Sequence, residues 1–171
     1  AHSSSTQCSI RVSTHNVLSL LDPNVPECYL HKSHQSELLQ VQYLELGIHV
    51  ACLQETRRPE FFRSASQYLM LSSGAASGGQ FGCDVWFSRT IPYYVRGKNV
   101  FLFSRQHLKV THRAPRLLVV SVDAPYCTLT VISAHAPTSL YMQDRVIFSD
   151  PSEVRKRCRM SHVVNRQQLS A

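Results

Sequence analysis

The sequence predicts an α+β protein, with two packed sheets and helices outside. Three observations carry that expectation. Many short apolar or alternating runs read as strands, one stretch alone has clear helical recurrence, and two late runs lie close enough to form a hairpin. At 171 residues and 43% hydrophobic composition, the chain is one ordinary domain or part of a larger one, with enough apolar material for a core. Charged residues at 17% and aromatics at 9% argue against disorder. Composition excludes collagen, coiled coil and a membrane span.

A polar leader, residues 1–8, precedes the first strand at 10–18 (IRVSTHNVL). There Ile10 and Val12 share a face with Thr14 and Asn16, so that side begins apolar and ends polar. The stretch LLDPNVPECYL carries two prolines and is a loop. Residues 33–46 place Leu38, Val41 and Leu44–Leu46 at helical spacing, with Ser33 as N-cap and Gly47 as the stop. The apolar run 48–53 follows and closes on Gln54 and Glu55, which completes a strand–loop–helix–strand unit.

Beyond Pro59 the pattern predicts strands at 68–71 and 83–88, separated by a flexible turn at 72–82 that holds four of the six glycines. Three more strands follow at 107–111, 116–122 and 128–135. The last two are joined by Asp-Ala-Pro-Tyr and form an antiparallel hairpin. Residues 139–171 make a basic, weakly patterned tail, in which Ser152 could cap a helix over 153–164 with a thin apolar face.

Eighteen Lys and Arg against eleven Asp and Glu give a net charge of +7. That excess favours polyanionic partners, nucleic acid before an anionic membrane surface, although a soluble protein can simply be basic. The six cysteines show no CxxC pair and no zinc spacing, and Cys52, Cys83 and Cys127 lie in or beside strand-like runs, as buried free thiols would. The first twenty residues lack a basic start followed by an apolar stretch, and no apolar run is long enough to span a bilayer. An intracellular protein, without a membrane partner, is the expectation; nucleus and cytoplasm are not distinguished.

Asn16 and Glu55 each stand at the polar end of a strand that begins apolar. If those strands are neighbours, both side chains emerge at one sheet rim, and their oxygen donors suit a hard cation such as Mg²⁺. The plainer alternative has Glu55 capping a turn or facing solvent and Asn16 bonding backbone. His135, ending the run LTVISAH, could donate to a phosphoryl oxygen or protonate a leaving alkoxide, or be one more surface histidine among nine. His31 and His34 sit one turn apart, but no third ligand completes a metal set.

The order THNVLSL, helix, VACLQETR, glycine turn, CDVWFS, then a hairpin ending SAHAPT resembles the endonuclease/exonuclease/phosphatase family, and within it the endonuclease domains of non-LTR retrotransposons. The resemblance covers residues 9–138. It implies a four-layered α/β sandwich, two sheets face to face with outer helices. It also implies phosphodiester hydrolysis with Mg²⁺ or Mn²⁺ on Glu55, and with Asn16 and His135 stabilising negative charge at the scissile phosphate. The family's Asp-x-Asn and Asp-His motifs, which orient and activate the attacking water, do not occur after Thr138. The expectation is therefore an incomplete sandwich of impaired activity, either a fragment or a decayed element, prone to self-association through an exposed sheet edge.

Two alternatives stay open. One is a non-catalytic nucleic-acid-binding remnant, in which Arg155, Lys156, Arg157 and Arg159 contact phosphates, DNA before RNA. The same cluster could instead be a solvated helix face. The other alternative is a phosphoinositide or lipid phosphatase of the same family.

Overall fold

The computed structural model describes residues 7–18, 20 and 35–136. The elements in order are β1 (Gln7–Cys8), β2 (Val12–Asn16), α1 (Gln35–Glu45), β3 (Val50–Gln54), β4 (Phe61–Ser64), β5 (Tyr68–Ser72) and β6 (Cys83–Ser88). They continue with β7 (Tyr94–Arg96), β8 (Asn99–Phe101), β9 (Leu108–Ala114), β10 (Leu117–Ala124) and β11 (Cys127–Ala134). The architecture is an α+β sandwich. A five-stranded sheet ordered β2-β3-β6-β5-β4 packs against a three-stranded antiparallel sheet ordered β11-β10-β9, and a small sheet, β1-β7-β8, stands beside them.

Only β2 and β3 run parallel within the five-stranded sheet, in the register Val12↔Val50 to Asn16↔Gln54. A parallel pair needs a crossover, and α1 lies in it. The predicted first strand at 10–18 is thus shorter, and Gln7–Cys8 pairs separately with β7. The central strands β3, β5 and β6 are buried on both faces. One face presents Val50, Cys52, Leu69, Leu71, Val85 and Phe87 to Leu118, Val120, Val122, Leu129 and Val131 of the other sheet. Each such side chain removed from water contributes about 1.5–3 kcal/mol.

The opposite face sets Ala51, Leu53, Met70 and Trp86 against α1 through Tyr43. Tyr43, Tyr68 and Trp86 meet with ring centroids 6.2–6.5 Å apart. This helix does not bury the stripe its sequence advertises. Leu38, Val41 and Leu46 are exposed, while Ser36, Gln40 and Tyr43 face inward. The aromatic anchor and a buried partner for Ser36 fix the rotation of the helix, overriding aliphatic spacing. Gly47, at φ +66°, does end it. The Ile48 amide donates to the Tyr43 carbonyl and the Gly47 amide to the Leu44 carbonyl, the paired bonds of a Schellman cap.

β10 and β11 form the expected hairpin, closing at Ala124↔Cys127. Tyr126 takes φ +64°, a turn position that usually favours glycine, and its ring stacks on Tyr94 at 4.5 Å. β11 alternates strictly between buried and exposed residues, and Ile132 lies on its outer face. Cys52, Cys83 and Cys127 are free and buried, as expected. No helix among the described residues is long and apolar enough to cross a membrane.

Candidate active site

β2 and β3 end together because they are parallel and in register, so Asn16 and the residue after Gln54 reach the same rim. β11 ends at that rim from the facing sheet. The hydroxyl of buried Ser133 donates to the Leu53 carbonyl at 3.0 Å, tying the two sheets two residues upstream of both Glu55 and His135. Gln54 Nε2 adds bonds to Thr14 Oγ1 at 3.1 Å and to Ser133 Oγ at 3.4 Å.

Glu55, Asn16 and His135 therefore converge from distant points of the chain. Asn16 Nδ2 donates to Glu55 Oε1 at 3.0 Å, and His135 Nε2 lies 3.0 Å from the same oxygen. The Arg57 guanidinium is 3.8 Å from Glu55 Oε2. The Asn16 bond above all, joined by His135 and Arg57, outweighs desolvation and holds the Glu55 carboxyl below the usual carboxylate range. The orientation of the Asn16 amide is decided by its other end, where Oδ1 accepts the Leu18 amide at 3.1 Å. That carboxamide oxygen is thus already used, and Asn16 offers Glu55 an N–H rather than a second oxygen.

The His135 ring is walled by Phe81, 5.7 Å away between centroids, and Phe81 in turn lies under the Arg116 guanidinium at 3.8 Å. His135 Nδ1 is buried and has no hydrogen-bond partner among the described residues. The Arg116 carbonyl accepts the His135 amide at 2.9 Å, so the β9–β10 turn also fixes the strand end.

Beneath Glu55 lies a polar network that sequence reading missed. Thr56 Oγ1 donates to Asp84 Oδ1 at 2.9 Å, Trp86 Nε1 donates to Asp84 Oδ2 at 3.2 Å, and Arg58 Nη1 stands 3.8 Å from Asp84 Oδ2. Arg58 Nε donates to the Leu20 carbonyl at 2.8 Å, and its Nη2 to the Ser36 hydroxyl. Gly82, at φ +96°, lies so close to this loop that a Cβ there would sit 2.8 Å from Thr56 Oγ1 and 2.9 Å from the Arg57 nitrogen. An acidic residue inside the run CDVWFS was the available signal.

As a cation site, the rim supplies one carboxylate. No group of three or more His, Cys, Asp or Glu able to hold a metal occurs among the described residues. One carboxylate fits Mg²⁺, which keeps several waters and takes remaining ligands from substrate phosphates. His31, His34, Arg155, Lys156, Arg157 and Arg159 lie outside the described residues, as do residues 137–171.

No protein-family model matches the chain. No curated protein matches it either. Among solved structures, the endonuclease domain of TRAS1, a telomere-specific non-LTR retrotransposon, is similar with a TM-score of 0.44 and 13% identity, covering 86% of this chain. The chain spans about half of that structure's length, 52%.

Proposed function

We propose that residues 9–138 are the first part of an endonuclease/exonuclease/phosphatase domain, a Mg²⁺- or Mn²⁺-dependent phosphodiester hydrolase acting on nucleic acid, DNA before RNA. The observation that carries this reading is the convergence of Asn16 Nδ2 and His135 Nε2 on Glu55 Oε1, both at 3.0 Å. Two N–H groups aimed at one anionic oxygen form a cradle that serves a phosphoryl oxygen as well as a carboxylate. The motifs LQETR and SAHAPT, whose Glu55 and His135 meet here, point the same way.

In this reading Glu55 holds the cation, which when bound supplies Lewis-acid polarisation of the phosphate. With the carboxylate so engaged, Asn16 and His135 turn their N–H groups to the charge that develops on the phosphoryl oxygens. Arg57 and Arg116 add positive potential for the substrate backbone. Among the described residues, no base that would deprotonate the attacking water joins the converged set. General base catalysis contributes about 10²–10⁴ in rate, so turnover by this chain is slow.

The test is nicking of supercoiled plasmid with Mg²⁺ or Mn²⁺, beside Glu55→Ala. We expect slow, metal-dependent nicking that the variant lacks, with salt-sensitive DNA binding kept. Absence of nicking by folded wild-type protein would overturn the hydrolase reading and leave a binding remnant. Equal loss of binding and nicking in the variant would remove Glu55 from the metal role.

A further inference from the structure

The loop that follows β3 alternates in a way that its function as a connection does not require. Glu55 and Arg57 face the rim with left-handed backbone, φ +58° and +55°. Between and after them, Thr56 and Arg58 turn inward and are buried. Both inward side chains reach Asp84, Thr56 through its hydroxyl and Arg58 through its guanidinium. The backbone on the other side is held too: the Thr56 amide donates to the Gly82 carbonyl at 3.1 Å, and the Arg57 amide to the Phe81 carbonyl at 2.8 Å.

Non-glycine residues persist at such dihedrals only where their surroundings over-determine them. Here the restraint comes from the even-numbered neighbours, and both converge on one carboxylate. Asp84 is 0% exposed, in a strand flanked by partners on both sides. A carboxylate is an expensive residue to bury there, and an apolar one would serve packing better. Its partners account for its presence: Thr56, Arg58, Trp86 and the Ser72 hydroxyl.

We propose that Asp84 is a positioning residue: by holding Thr56 and Arg58 inward, it keeps Glu55 in the left-handed conformation that carries its carboxylate to Asn16 and His135. The inference rests on the reading of Glu55 as the working carboxylate of the site, and it assigns the aim of that carboxylate to a group outside the site. A displacement of about 1 Å in such a constellation is enough to lose most of its effect. A merely structural ion pair would alter stability without moving Glu55.

The readout is the side-chain amide resonance of Asn16 in the ¹⁵N-labelled full chain, first without metal. Glu55→Ala removes the acceptor and marks the position of the free amide. Asp84→Asn and Thr56→Val are expected to move the resonance most of the way to that position, and Thr56→Ser, which restores the hydroxyl, to leave it at the wild-type place. Thr56→Val keeps the shape of the side chain and the Arg58–Asp84 pair, so it decides the matter if Asp84→Asn fails to fold. An unmoved Asn16 amide in Thr56→Val, with the amide spectrum of β6 and β10 intact, would overturn the inference. Titration with Mg²⁺ then judges the metal reading separately. The wild-type resonance should respond, and Thr56→Val should need about tenfold more Mg²⁺. A wild-type protein indifferent to Mg²⁺ would overturn the metal role of Glu55 alone, the positioning inference having already been judged on the metal-free spectra.

Discussion

Gly82→Ala adds a single methyl group at the tightest point of the two loops behind Glu55. At φ +96° a residue with a Cβ pays about 1–2 kcal/mol in backbone strain. The new carbon would also lie 2.8 Å from Thr56 Oγ1 and 2.9 Å from the Arg57 nitrogen. The second of these is backbone and cannot rotate aside, so the loops must part against the Thr56–Gly82 hydrogen bond, and overpacking of this kind costs about 1–3 kcal/mol. The lower entropy of an alanine in the unfolded chain returns about 0.4–1 kcal/mol. The net loss is about 1–5 kcal/mol, with the middle of that range near 3 kcal/mol, against the 5–15 kcal/mol or so by which domains are stable, so the variant is expected to stay folded in buffer. Two glycines of the same turn separate the contributions. Gly79 has φ +70° with open space around it, and Gly78 has open space without the strained dihedral. Gly79→Ala should lose about 1 kcal/mol and Gly78→Ala less than about 0.5 kcal/mol. Urea unfolding followed by Trp86, the one tryptophan and fully buried, measures all three, and Gly82→Ala should lower the midpoint by about 1–2 M at unchanged slope. A Gly82→Ala loss no greater than that of Gly79→Ala would refute the argument from close approach.

His49 is buried, its Nδ1 accepting the Arg11 amide at 3.0 Å and its Nε2 lying 3.1 Å from the Pro92 carbonyl, and burial pushes its pKa below the ordinary 6.5. The unfolded chain therefore binds this proton first: the stability contribution is complete above pH 6.5 and is lost as pH falls toward the folded pKa, by up to about 1.4 kcal/mol per pH unit. Urea midpoints between pH 7 and pH 5 should fall less steeply in His49→Asn; an identical slope would clear His49. Burial raises the thiols of Cys52 and Cys83 to about 12 and about 11, so peptide-resolved alkylation at pH 8 should label Cys83 about a hundredfold and Cys52 about a thousandfold slower in native protein than in urea. Comparable rates in the two conditions would mean that the five-stranded sheet opens readily.

What the sequence makes legible is what alternation and punctuation encode. The strand CDVWFS has the predicted bounds, Cys83–Ser88, and the late hairpin and the Gly47 stop are where turn chemistry places them. Asn16 and Glu55 were expected to share a rim if their strands are neighbours, and β2 and β3 are parallel and in register. His135, which ends β11 of the facing sheet, was set beside them only by the family resemblance. The strands Phe61–Ser64, Tyr94–Arg96 and Asn99–Phe101 were missed, each being three or four residues long and too short to show a period. The rotation of α1 was also hidden. Its inward face is chosen by Tyr43 and Ser36, whose partners Trp86 and Arg58 come from far along the chain. Nor can local pattern distinguish Arg57 from Arg58, adjacent residues of which one is exposed and the other buried.

The site draws its members from both sheets, Glu55 and His135 lying 80 residues apart. The three-stranded sheet consists of consecutive hairpins and closes through local contacts, whereas the β2–β3 pair must wait for the chain between residues 16 and 50 to loop back. On a ribosome, residues 7–72 emerge long before the strand that ends at Ala134. Until then β3 lacks the facing sheet on one face, and Glu55 lacks His135. Among the described residues the constellation is therefore among the last features to form during synthesis, and a nascent chain cannot assemble it until the β10–β11 hairpin has docked.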